Sequence, residues 1–185
     1  MGKPRIPPAA EPSPEAVEVL EKSPAIDGRP LNIFGTLAHH PLLLKRYIAL
    51  GGVFLRFGLI PARERELVIL RTAWWTGSVY EFGQHTRLGQ AAGLTPAEVA
   101  RLALPHVEGW PADDAALLAM VEDLQREDRV SDPTWEKLAG RWSEAELIGL
   151  LALVGFYRMT AGFLNSAGVE AEPGVPGWPE GGRGR

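Results

Sequence analysis

Cysteine is absent from the 185 residues of this chain. Without a thiol, the chain cannot form disulfides, thiolate zinc sites or iron–sulfur clusters, and it cannot use a cysteine nucleophile. The missing cysteines do not indicate a redox compartment, because a chain without thiols is compatible with any of them.

The chain also has no excess of basic charge and no long apolar run. Its net charge is -4 and no Lys/Arg cluster is present, so we expect no nucleic-acid partner. Residues 1–14 lack the apolar segment of a secretory signal. The longest apolar segment, residues 147–164, is interrupted by Arg158, and it falls short of the roughly 20 residues that span a bilayer. We therefore expect a buried helix there, no membrane partner and a cytoplasmic protein.

The two ends of the chain differ in composition from its middle. Residues 1–14 contain five prolines and residues 171–185 contain eight Pro or Gly, which disfavours continuous helix or sheet. We predict a flexible arm at 1–14, a single domain at 15–170 and a flexible tail at 171–185. The arms could lie over a neighbouring subunit, with Trp178 as an anchor.

Between these ends, apolar residues recur at helical spacing and strand-type alternation is weak. Pro41 should separate two helices, because the residue before a proline disfavours the α conformation. Gly93 is a helix stop, and Thr95 followed by Glu98 is a helix start. Ser143 should cap the last helix. The pattern predicts an all-α domain of about seven to nine helices.

A stripe of polar residues is the main candidate for function. Ser78, Glu81 and His85 are spaced i, i+3 and i+7, so they fall within about 60° of each other on a helix. The preceding helix carries Glu66, and the short joint at 76–78 should make the two helices neighbours. If their faces meet, two carboxylates and an imidazole would share an apolar pocket. Such a cluster can hold an acid and a base at neutral pH.

The spacing also allows less specific interpretations. A Glu-x-x-x-His pair is common on solvated helix faces, and Glu66 lies in a charged first turn where carboxylates favour the helix dipole. The di-iron bundle motif needs two copies of Glu-x-x-His at i+3, whereas this chain has one copy at i+4. We therefore expect no metal. Three tyrosines could donate a hydrogen bond to an oxyanion, but their apolar neighbours favour the core: Tyr47, Tyr80 and Tyr157.

The same residues carry a resemblance to a known family. Over "NIFGTLAHHP", "PARERELVILRTAWWTGSVYEFGQHTRLGQAAGLT" and "FLNSAGVEAEPGVPGW", the chain resembles the carboxymuconolactone decarboxylase family, which includes the alkylhydroperoxidase D-like proteins. The peroxidase branch of that family has a Glu and, twelve residues later, Cys-x-x-Cys-x-x-x-His. The Glu falls on Glu66, and the second motif falls on Ser78, Glu81 and His85. The resemblance implies an alkylhydroperoxidase D-like helical bundle.

The differences from that motif exclude one function. Ser78 and Glu81 stand where the peroxidase branch has cysteines. Neither a hydroxyl nor a carboxylate can cycle through a disulfide, so thiol-dependent peroxidase activity is excluded.

The decarboxylase side of the family implies a lyase of aromatic catabolism, a cofactor-free acid–base catalyst acting on a lactone acid, 4-carboxymuconolactone. On this resemblance we expect His85 to be the acid/base. Glu81 or Glu66 would be its orienting partner or a second base, and Ser78 would be a hydrogen-bonding group. The same set could serve isomerisation, dehydration or retro-aldol cleavage.

The resemblance further implies self-association as a homotrimer or homohexamer, with a small-molecule substrate. An alternative is a non-catalytic oligomer that binds a small molecule or is purely structural. The alternative predicts that Glu66 and His85 are exposed or apart, whereas the enzymatic hypothesis predicts that they converge in an enclosed cavity.

Overall fold

Nine α-helices form most of the structure, a computed structural model that describes residues 3–106 and 108–182. The helices in chain order are α1 Pro14–Leu20, α2 Asn32–Leu37, α3 Pro41–Leu55, α4 Ala62–Trp75, α5 Val79–Ala91, α6 Pro96–Leu102, α7 Ala112–Glu127, α8 Asp132–Ala139 and α9 Glu144–Ala167. The prediction of an all-α domain with about seven to nine helices is confirmed.

A short antiparallel hairpin interrupts the helices between α1 and α2. Its strands are β1 Ala25–Ile26 and β2 Arg29–Pro30. The turn residues Asp27 and Gly28 both have positive φ, at 50° and 74°. Two such residues are typical of the tight turn that joins antiparallel strands, and Asp-Gly is its common sequence. Helical periodicity did not predict this hairpin, because a strand of two residues is too short to show alternation.

The predicted helix boundaries agree with local hydrogen bonds. Pro41 begins α3, and Gly93 has φ of 102° just after α5. Thr95 and Glu98 form a capping box at the start of α6, in which each side chain bonds the other residue's backbone. Ser143 caps α9 in the same way. These boundaries are therefore set by local sequence, independently of the packing of the core.

Helix α4 lies at the centre of the fold and packs against α5, α7 and α9. It is buried on all sides from Glu66 to Trp74, which explains why its apolar residues do not form a single stripe. Even Arg71 is fully buried, and its Nε donates to Glu122 Oε1 at 2.7 Å. A buried guanidinium needs such a partner, because an unpaired charge in the core is strongly destabilising.

Helix α9 is the long apolar segment of the sequence. By length and composition alone it could cross a membrane, yet half of its most apolar 18-residue window is buried inside the fold. It packs against α3, α4 and α8. The buried helix predicted for residues 147–164 is thus the last core helix, and it supplies Tyr157 to the site described below.

Both terminal segments lie against the domain of their own chain. In the arm, the amide of Arg5 donates to Ala167 O at 2.8 Å. In the tail, Glu172 accepts a hydrogen bond from the amide of Asn32 at 2.6 Å. Trp178 does anchor the tail, but it does so within the chain, with its ring centroid 4.7 Å from that of Phe82. The flexibility of the two segments stays a prediction.

Candidate active site

The short connection between α4 and α5 brings the predicted site residues together. Gly77, with φ of 64°, makes the tight turn, and Ser78 precedes the first residue of α5. The two helices then pack side by side, so that Glu66 of α4 faces His85 of α5. Glu66 Oε2 lies 2.6 Å from His85 Nδ1. Both side chains are buried, which is the arrangement that the enzymatic hypothesis requires.

Glu66 has two hydrogen-bond partners in this site. Arg65 Nε donates to Glu66 Oε1 at 2.9 Å, while His85 occupies Oε2. Burial alone would raise the pKa of the Glu66 carboxyl, but His85 and Arg65 outweigh it and hold that pKa below its ordinary value. Glu66 is therefore an anion at neutral pH. Its Oε2 accepts a hydrogen bond from the Nδ1–H of His85, which leaves Nε2 as the basic nitrogen of the neutral ring.

His85 forms part of the wall of a cavity of about 540 Å³ that is partly open to solvent. Most of the cavity's side chains are apolar, and they come from α2, α3, α5, α9 and the hairpin. The ring of Tyr157 stands edge-on to the His85 ring, with centroids 4.9 Å apart and planes at 90°. This volume is within the usual range for small-molecule sites.

Glu81 lines the same cavity one helical turn before His85. It is buried, and neither carboxyl oxygen makes a hydrogen bond within the part of the chain that the structure describes. Burial raises the pKa of Glu81 well above its ordinary value, and the Ser78 hydroxyl acts against this shift without cancelling it. The site therefore favours the neutral carboxylic acid form of Glu81, which can donate one hydrogen bond.

The four predicted residues thus have different positions. Glu66 and His85 form a pair, Glu81 faces the cavity beside His85, and Glu66 lies behind His85 rather than in the lining. Ser78 is fully buried at the start of α5 and does not belong to the residues that line the cavity. Its place next to Glu81 suits a supporting contact better than a contact with a ligand.

Sequence reasoning missed several parts of the site. Arg65 precedes Glu66 in a charged turn, where nothing distinguishes it from its neighbours. Tyr47 and Tyr157 were interpreted as core residues, and both are well buried, yet they also line the cavity. Gln84 also lines it; it lies next to His85 in the sequence, and this was the one available signal for it.

The described residues contain no group of three or more His, Asp or Glu side chains that could hold a metal ion. The polar groups at the cavity are instead one imidazole, one carboxyl, an amide, three phenol hydroxyls, the Thr160 hydroxyl and the guanidinium groups of Arg56 and Arg87. This set can accept and donate protons and form hydrogen bonds.

The region of the sequence that carries this site is similar to a known protein family. Residues 41–122 match the model of the carboxymuconolactone decarboxylase family. This part of the chain is similar to that family. The matched region runs from the start of α3 into α7 and includes Ser78 together with the three acid–base residues. The family resemblance inferred from the sequence is therefore confirmed for the segment that carries the site.

Solved structures show that the rest of the fold is shared as well. An uncharacterized peroxidase-related protein from Silicibacter sp. TM1040 has a TM-score of 0.80 at 16% identity, covering 95% of this chain and 97% of that one. A second peroxidase-related protein, an alkylhydroperoxidase AhpD core from Ralstonia eutropha JMP134, has a TM-score of 0.74 at 19% identity, covering 91% and 93%. The alkylhydroperoxidase D-like fold predicted for this chain is confirmed.

A third similar structure is described as a debrominase rather than as a peroxidase-related protein. It is a variant of the debrominase Bmp8 in complex with 2,3,4-tribromopyrrole, with a TM-score of 0.73 at 15% identity and 91% of each chain covered. No curated protein matches the sequence of this chain. At these identities, the structural comparisons establish the fold alone.

Proposed function

We propose that this protein is a cofactor-free acid–base enzyme that moves protons on a small carbonyl compound held in the cavity. The observation that carries the proposal is the 2.6 Å contact between Glu66 Oε2 and His85 Nδ1, with His85 in the cavity wall. A base oriented by a buried carboxylate, and facing an apolar cavity, is the arrangement that general acid–base catalysis requires.

The pair assigns a role to each residue. His85 Nε2 takes a proton from a carbon next to the substrate carbonyl, and the electron pair of the broken C–H bond moves into that carbonyl. Glu66 stabilises the imidazolium that results, because its carboxylate lies against Nδ1–H. The imidazolium then returns the proton to carbon at the same or a conjugated position. The net reaction is an isomerisation or an exchange of substrate protons.

Decarboxylation uses the same residues with a substrate that carries a carboxylate, as the family name suggests. The carboxylate leaves as CO2 and the electron pair of the broken C–C bond moves into the conjugated carbonyl. His85, entering this cycle as the imidazolium, gives its proton to the carbon of the dienolate and recovers it from solvent. The apolar lining favours this step, because it disfavours the localised charge of the carboxylate relative to the delocalised transition state.

The comparisons support a small planar substrate. The family is named for action on carboxymuconolactone, and the similar debrominase structure holds 2,3,4-tribromopyrrole. Both are compact ring compounds of a size that about 540 Å³ accommodates. A lactone or cyclic keto acid is therefore our proposed substrate, with 4-carboxymuconolactone as the first compound to test.

The test measures CO2 release from 4-carboxymuconolactone and, for a panel of cyclic ketones and keto acids, deuterium uptake from heavy water. We expect Glu66→Gln and His85→Asn each to lower the rate by about 100-fold or more, because general acid–base catalysis is worth at least that much. His39→Asn is the matched control, since His39 is exposed and contacts Pro7 O. A folded wild type that is inert in both assays, or an unchanged rate in His85→Asn, would contradict the proposal.

A further inference from the structure

Three tyrosines line the cavity, and their hydroxyl groups are not equivalent. Tyr47 Oη lies 2.7 Å from Thr160 Oγ1. Thr160 uses its own proton to donate to Phe156 O at 2.8 Å, so Tyr47 must be the donor in the first bond. The proton of Tyr47 is therefore already used within the protein.

The hydroxyl proton of the second tyrosine is also already donated within the protein. Tyr80 Oη donates to Glu172 Oε1 at 2.9 Å, a carboxylate oxygen that can only accept. This bond ties Tyr80 to the C-terminal tail. A ligand in the cavity would have to break it to gain the phenol proton of Tyr80.

The third tyrosine is different. Tyr157 lines the cavity and is buried, yet its hydroxyl makes no hydrogen bond within residues 3–106 and 108–182. Burial, together with the nearby carboxyl groups of Glu66 and Glu81, raises the pKa of Tyr157 well above its ordinary value, so the phenol keeps its proton. Its oxygen is not among the fully buried side-chain atoms that lack a partner, so it is accessible rather than sealed in the core. A phenol in this position can donate its proton to a ligand in the cavity.

Glu81, on α5, also lacks a hydrogen bond among the described residues. It lines the same cavity and is buried. The cavity therefore contains two neutral donors without partners, and both are adjacent to His85, one by ring contact and one by helical spacing.

We propose that Tyr157 and Glu81 form a two-donor site for an oxygen that becomes negatively charged, so that the substrate is a carbonyl compound reacting through its enolate. This inference rests on the proposed function and specifies its substrate class. Hydrogen bonds from fixed neutral donors stabilise a developing oxyanion strongly in a site that excludes water. A neutral carboxylic acid and a phenol are suited to this task, because neither brings a charge that would be costly in the free protein.

A phenolate mimics such an enolate, since it is a planar ring with a charged oxygen. The probe is 4-nitrophenol, titrated into the full-length protein at a pH where it is ionised, with binding followed by the shift of its phenolate absorption band. We expect Tyr157→Phe to weaken binding by about tenfold or more, because it removes a hydrogen bond to a charged oxygen. Tyr47→Phe is the matched control, and it should change the dissociation constant by less than about twofold, since that hydroxyl is committed to Thr160.

The folding of the variants is checked by thermal melting. Tyr157→Phe should melt at or above the wild-type temperature, because the hydroxyl it removes has no partner in the protein. Equal binding by Tyr157→Phe and wild type would overturn the donor site. So would equal losses in Tyr157→Phe and Tyr47→Phe, or a wild type that does not bind 4-nitrophenol.

The outcome separates this inference from the proposed function. Binding of the probe does not need proton transfer by His85, so His85→Asn should still bind it. If the tyrosine variants behave as expected while no compound is turned over, the donor site stands and the acid–base function fails. If turnover depends on His85 but probe binding does not depend on Tyr157, only the donor site is overturned.

Discussion

At the scale of single residues, the site contains a side chain that does not serve stability. Glu81 is a buried carboxyl without a hydrogen bond among the described residues. It costs free energy relative to an apolar residue of similar shape. Polar groups of this kind are retained at functional sites, where local rules of folding are broken.

The cost of Glu81 should depend on pH. Its pKa in the folded state is raised well above its value in the unfolded chain. Below the unfolded pKa both states are protonated and there is no cost. As the pH rises above that value, the unfolded chain loses the proton while the folded protein keeps it, so the free energy of unfolding falls. The fall ends when the pH passes the folded pKa.

Glu81→Gln removes this ionisation, and we expect it to stabilise the protein increasingly as the pH rises from about 4.5 to 8. The measurement is urea unfolding of wild type and variant across that range. Glu136→Gln, on the exposed side of α8, gives the baseline for the substitution. A stability difference that does not change with pH would contradict the assignment of a neutral, buried Glu81.

Glu66 has the opposite effect on the pH dependence of the free energy of unfolding, because its pKa is lower in the folded protein than in the unfolded chain. Its contribution to stability is present above the unfolded pKa and is lost as the pH falls through the folded pKa. Two carboxyls in one site therefore respond to pH in opposite directions. The difference comes from their partners, because Glu66 contacts His85 and Arg65 whereas the carboxyl of Glu81 makes no hydrogen bond among the described residues.

At the scale of elements, the C-terminal tail is bound to α5 by side-chain hydrogen bonds. Glu172 accepts hydrogen bonds from Tyr80 and Gln84, two residues that line the cavity. The tail can approach α5 this closely because Gly83 has no side chain. A Cβ at that position would overlap with the carbonyl oxygen of Pro176.

Gly83→Ala should therefore displace the tail, although alanine favours a helix more than glycine does. We expect faster hydrogen–deuterium exchange in peptides from residues 170–182, measured by mass spectrometry. Gly162→Ala is the matched control, since Gly162 is also helical, and a Cβ there would meet nothing within 4 Å. Unchanged exchange in the Gly83 variant would show that the tail does not depend on this contact.

Elements also show what the sequence could and could not predict. The starts of α6 and α9 follow from capping residues such as Thr95 and Ser143, whose hydrogen bonds are local. The pairing of Glu66 with His85 followed from two helices joined by a short turn. The place of Tyr157 could not be predicted, because periodicity shows which face of α9 is buried but not which residue of α5 it meets.

At the scale of the whole molecule, the site depends on two consecutive helices and on a third that lies far from them in sequence. α4 supplies the carboxylate, α5 the imidazole and α9 the phenol, and α4 packs against both of the others. The fold is shared with proteins of 15–19% identity that include a debrominase. A shared fold at these identities does not establish a shared chemistry.

The molecule also exposes a patch of apolar side chains on α3 and the loop that follows it. Four residues on one side of α3 are roughly half exposed, and two more follow in the next loop: Leu42, Leu43, Leu50, Val53, Phe57 and Leu59. Apolar surfaces of this kind commonly mark contacts between proteins. The homotrimer or homohexamer expected from the family resemblance would cover them, and it stays a prediction that the mass of the protein in solution decides.

The central claim is that Glu66 fixes the proton of neutral His85 on Nδ1 and leaves Nε2 as the base in the cavity. Proton–nitrogen NMR correlation spectra of the full chain distinguish the two ring nitrogens, and His85→Asn identifies the His85 signals among the four histidines. We predict that the neutral ring carries its proton on Nδ1, with Nε2 unprotonated. A neutral His85 with its proton on Nε2 would contradict the pair with Glu66, and with it the proposed acid–base role.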